Sequence, residues 1–178
     1  MALIEIFLKT IDTIISLSTF KKKRHEQFFN DIIVPIYQDF SPVAQNYFEI
    51  FRAIAKVKQD NLDKVRENFI QMREQYLLTR LKVREVAGVI TTEVDDPDVK
   101  AFAKGLVTFF ESFRTQGISK SQDIDNQFSS IETIQIDINE LKAAAAESVK
   151  KMEISWKEVN QSYAKVKLKG HSNVLKSK

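Results

Sequence analysis

SQDIDNQFSSIETIQIDINELKAAAAESVKKMEISWKEVNQSYAKVK, residues 121–167, contains neither glycine nor proline, and its reading sets the fold class. Its apolar positions run Ile124, Phe128, Ile131, Ile134, Ile138, Leu141, Ala145, Val149, Met152, Trp156, Val159, Tyr163 and Val166, with nearly every step alternating between three and four. That spacing puts one apolar seam along one side of an α-helix. At 1.5 Å per residue the helix would be about 65 Å long, roughly twice the width of a small domain. It must therefore project, bend or find a partner, and Ala143 to Ala146 make its middle slim enough for close approach.

Upstream of that stretch the same periodicity recurs. Residues 2–20 carry Leu3, Ile4, Phe7, Leu8, Ile11, Ile14, Ile15 and Leu17 at helical spacing beside a narrow strip of Glu5, Lys9, Asp12 and Ser16. Lys21, Lys22, Lys23, Arg24 and His25 open a second pattern with Phe28, Phe29, Ile32, Ile36 and Phe40 on one face. Pro35 predicts a kink or break near Ile33–Pro35, since an interior proline removes a backbone donor and crowds the preceding turn. Ser41–Pro42 reads as a fresh start, serine capping and proline at the first helical position, followed by Val43, Tyr47, Ile50, Ile54 and Val57.

That helix is expected to end near Lys58, with Asp60 capping the next. The following pattern, Leu62, Val65, Phe69, Met72, Tyr76, Val83, Val86 and Ile90, has Thr79 in its one missing slot and ends at Gly88 and the acidic Glu93–Asp96 stretch. A short join at Gln59–Asp60 would fold it back on its predecessor. Asp96–Pro97 repeats the cap-then-proline signature, and Asp98 adds a carboxylate where the helix dipole favours one. Val99, Phe102, Leu106, Phe109 and Phe113 mark that helix's buried face, and Gly117 suits its end. The expected fold is all-α: an antiparallel helical bundle of about five helices over residues 1–117, then a long C-terminal helix over 118–169 able to project as a coiled coil. Residues 170–178 read as a disordered basic tail. There is no internal repeat.

Composition agrees. The chain has 178 residues, 43% hydrophobic and 29% charged, enough for one core without staples. Four Gly and three Pro are few for a β-rich fold, and with no Cys there is neither a disulfide framework nor a thiolate metal site, so a cytoplasmic location is the default. Three charges in the first twelve residues argue against a spanning helix, because each central Lys or Asp costs roughly 2.5–3.5 kcal/mol on insertion. No basic residue precedes the apolar stretch and no small-residue cleavage site follows, so residues 2–20 read as mature protein.

Residues that would carry catalysis are scarce. There is no Gly-rich phosphate loop, no nucleophile elbow, and His25 and His171 are the two histidines, neither in a Glu-x-x-His pair. Asp95, Asp96 and Asp98 surround a helix start, where capping explains them. No enzyme activity, cofactor or metal is expected.

Three partner readings remain. The first is a non-enzymatic interaction or scaffold protein, self-associating or docking on a larger assembly through the C-terminal seam of Ile138, Leu141, Ala145, Val149, Met152, Trp156, Val159 and Tyr163. The second is a peripheral membrane protein, at the inner face of the membrane, held by the amphipathic N-terminal helix and the Lys21, Lys22, Lys23, Arg24 flank. The third is a small helical subunit on nucleic acid, using that cluster with Lys165, Lys167 and Lys169. From Lys150 to Lys178 eight Lys stand against Glu153 and Glu158, but no Arg is present. Such an end attracts phosphate without reading sequence.

Overall fold

In a computed structural model, residues 11–14, 25–112 and 137–175 are described, and all of the regular structure among them is helical. Helix α1 (His25–Phe28) passes through a π-helical turn at Phe29–Ile33 into α2 (Val34–Ile54); a 3-10 turn at Gln59–Asn61 leads to α3 (Leu62–Gln75), α4 (Leu77–Glu93) and α5 (Pro97–Glu111), and α6 spans Ile138–Leu175.

The break expected at Pro35 does not occur. Proline offers no N–H to the carbonyl of Asp31 and its ring would crowd that carbonyl. The chain widens by one residue instead, so that the Val34 N–H reaches back to the Phe29 carbonyl. Phe29, Ile32 and Ile33 remain buried through the turn, which is what holds it. The fresh start expected at Ser41–Pro42 is absent too, because Pro42 lies inside α2. Losing one hydrogen bond to the Gln38 carbonyl is offset by the face on either side of it: Ile36, Phe40, Val43, Ala44, Tyr47, Phe48, Phe51 and Ile54 are all buried.

Asp60 is not the cap of α3. The side chain of Asn61 accepts from the Lys58 N–H at 2.8 Å and closes the turn there. Nor does one helix run from 62 to 90. Tyr76, at φ −101° and ψ 7°, separates α3 from α4, while its hydroxyl accepts from the Asn46 amide at 3.0 Å. Helix α4 runs through Gly88 and ends at Glu93, where the acidic stretch begins as expected. Asp96 does cap α5, its carboxylate accepting from the N–H groups of Asp98 and Val99 at 2.9 and 3.2 Å. Phe113 and Gly117 lie outside the described residues.

Helix α6 starts later and ends later than its sequence implies. Asp137 accepts from the Asn139 N–H at 2.8 Å and the Glu140 N–H at 3.3 Å, marking a start at Ile138, and the helix passes Gly170 to reach Leu175 where a disordered tail was expected. Its 38 residues span about 57 Å.

Helix α6 lies antiparallel against α5, Ser155 meeting Ser112 at one end and Lys169 meeting Asp96 and Asp98 at the other. It is antiparallel to α2 as well, with Arg52 pairing to Glu153 at 3.0 Å and the Tyr37 hydroxyl donating to Asn160 Oδ1 at 2.5 Å. Between the three helices sits an aromatic cluster: Phe40 is edge-on to Phe109 at 5.0 Å, and Trp156 reaches Phe40 and Phe48 at 5.5 and 6.3 Å. Edge-to-face pairs of this kind add about 0.5–1.5 kcal/mol each beyond the area they bury. Helix α3 folds back on α2 through Phe69 against Phe51, and α4 packs on both α5 and α2.

Candidate interaction site

Along the seam of α6, Leu141, Ala145, Met152 and Val159 are fully buried, and Ile138, Val149, Trp156 and Tyr163 are partly buried against the same core. The predicted association seam therefore packs onto the chain's own helices. Tyr163 stacks on Tyr37 with centroids 4.0 Å apart, and burial raises both phenols above the usual tyrosine range, Tyr37 further by the neighbouring Tyr163. They stay neutral and serve packing. At Gly105 the two backbones approach so closely that an added Cβ would stand 2.9 Å from Val159 Cγ2.

Lys21, Lys22, Lys23 and Arg24 lie outside the described residues. Of the N-terminal apolar face the described part is 11–14, where Ile14 is fully buried in the core. A side chain spent there is unavailable to a lipid surface. Lys165 and Lys167 are exposed. Lys169 is committed to the Asp96–Asp98 cap, 3.4 Å from Asp96 Oδ2 and in contact with Asp98. Burial pushes the Asp96 carboxyl up, but the Val99 and Asp98 amides and the Lys169 ammonium outweigh it and hold it below the ordinary aspartate value. The hydrogen bond to Asp98 raises Lys169 above the usual lysine value.

The remaining apolar surface is elsewhere. Leu77, Leu78 and Leu81 at the start of α4 are 48%, 57% and 49% exposed, far more than the chain's other leucines on α3 to α5. Two shallow hollows flank them, one formed by Ile70, Arg73, Glu74 and Leu77, the other including Leu81, Arg84, Glu85 and Gly88. Sequence reading missed this stripe because it followed the buried line through Val65, Phe69, Met72, Val83 and Ile90. The signal was there: Ile70, Leu77 and Leu81 are seven and four residues apart and form a second apolar line on the opposite side.

Among the described residues, no three His, Cys, Asp or Glu side chains gather where a metal ion could be held, and no helix is long and apolar enough to cross a membrane. Neither a protein-family model, nor a curated protein, nor a solved structure matches this chain.

Proposed function

We propose that this chain is a non-enzymatic interaction protein, a helical bundle that works by associating with itself or by docking on a larger assembly, with α6 as its stiff spine. The observation that carries this reading is the run of half-exposed leucines at Leu77, Leu78 and Leu81. Large apolar side chains gathered on one surface, when the described phenylalanines and most of the described isoleucines lie inside, mark a face that another molecule covers. Contact through the C-terminal helix, in this reading, uses its outward residues Ile154 and Leu168, which are 61% and 70% exposed, and not its buried seam.

The test is quantitative co-purification of the tagged full chain from its native host, with untagged copies of the same chain counted among possible partners. Leu77→Lys combined with Leu81→Lys should fold like the parent and lose its associated proteins. An unchanged set of associated proteins overturns the reading. So would retention on anionic liposomes or nucleic acid that falls when Lys165 and Lys167 are changed to Gln, because the partner would then be a polyanion.

A further inference from the structure

We propose that the outward stripe of α3 and α4 is a self-complementary seam that pairs with the same stripe of a second copy, antiparallel, about a two-fold axis level with the middle of the leucine cluster. The inference rests on the reading above and names its partner. Ile70 and Glu74 on α3 and Leu77, Leu81, Arg84 and Gly88 on α4 follow one another at steps of four, three, four, three and four, and because Ile70, Glu74 and Leu77 line one hollow the face carries on across the join at Tyr76. In an antiparallel pair centred between Leu77 and Leu81, each position meets the one reflected through that centre. Leu77 then meets the second copy's Leu81, an apolar contact at the axis. Glu74 meets Arg84, so the two charges of the stripe are each set against their opposite. At the ends Ile70 meets Gly88, a branched side chain over a helical glycine beside which a Cβ would have nothing within 4 Å.

A stripe that turned its charges against like charges would repel a second copy. This one is complementary to itself under that single operation, the requirement for an isologous contact. Among the described residues Glu74, Arg84 and Glu85 form no ion pair within the chain, which leaves their charges for an outside partner. A contact confined to two short helical segments belongs to the class below about 1,200 Å² of buried surface, so the dimer forms and dissociates with concentration.

The test uses the purified full chain in sedimentation or light scattering up to millimolar concentration, with thermal melting to show that each variant is folded. The parent should pass from monomer to dimer. Leu81→Glu should raise the dimer Kd about tenfold or more. Arg84→Glu should raise it about tenfold, and Arg84→Glu with Glu74→Arg in one chain should bring it back to within about threefold of the parent. Register is read by oxidation of single-cysteine variants, which is clean because the chain has no cysteine of its own. Glu74→Cys mixed with Arg84→Cys should crosslink to a dimer, whereas Glu74→Cys alone should not. A chain monomeric at every concentration, a dimer indifferent to Leu81→Glu, or self-crosslinking of Glu74→Cys would each overturn the second-copy inference. The co-purification experiment would still decide separately whether the leucine face binds any protein at all.

Discussion

Two glycines sit inside neighbouring, packed helices, Gly105 in α5 and Gly88 in α4, and each would be called helix-weakening from sequence. Gly105 is buried under α6, where a Cβ would meet Val159 at 2.9 Å; Gly88 is exposed, where a Cβ would meet nothing. The first lets α6 come close enough to bury the aromatic cluster. The second contributes nothing to the isolated chain. What distinguishes them is the surface opposite, so the same residue is a packing requirement in one helix and an opening in the other.

Substituting the glycines should break that contrast from both ends. Gly105→Leu should give the largest effect, a loss of about 3 kcal/mol in denaturant unfolding, because a β-branched neighbour cannot swing away and the overfilled interface must part. Gly105→Ala should cost about 1–2 kcal/mol, and Val159→Ala in the same chain should recover part of it, showing that the two sites share one contact. Asp96→Ala, at the far end of the α5–α6 contact, should cost about 1–2 kcal/mol by removing a cap whose side chain is mostly buried.

Asp96 also makes that contact sensitive to pH. Its carboxyl is held below the ordinary aspartate value when folded, so its contribution is present above that value and is lost as pH falls through the lower, folded one. Lys169, held above the ordinary lysine value, contributes below that value and loses its contribution as pH rises through the folded one. Acid titration of stability should therefore be shallower in Asp96→Asn than in the parent. On α4, Gly88→Ala should stabilise the monomer by about 0.5–1 kcal/mol, the helix-propensity difference with no steric charge against it. Ser41→Ala should be smallest, within about 0.5 kcal/mol, because Ser41 caps no helix end.

Asp96–Pro97 and Ser41–Pro42 show how far local signals reach. Both dipeptides read as cap then proline, yet Asp96 caps α5 while Ser41 lies within α2. A cap signature states a preference of about 1 kcal/mol, and the buried face running from Ile36 to Ile54 outweighs it. The late start of α6 at Ile138 had a local sign in Asp137, but no glycine or proline pointed to it. The break at Tyr76 had no clear sign at all, since Tyr76 sits on the apolar line and carries no turn preference. Of the candidate site, Ile70, Leu77 and Leu81 were legible as a second line but were hidden by the stronger buried one.

From sequence alone come the helical class, the buried lines of α2, α3, α5 and α6, and the Asp96 cap, because periodicity and capping are properties of residues a few positions apart. Tertiary structure decided which apolar line was left outside. The α6 seam and the apolar line of Ile70, Leu77 and Leu81 are both set at helical spacing, but α5 and α2 lie across the first and nothing described lies across the second. An apolar side chain is buried by what faces it, and that is settled only when the helices have packed.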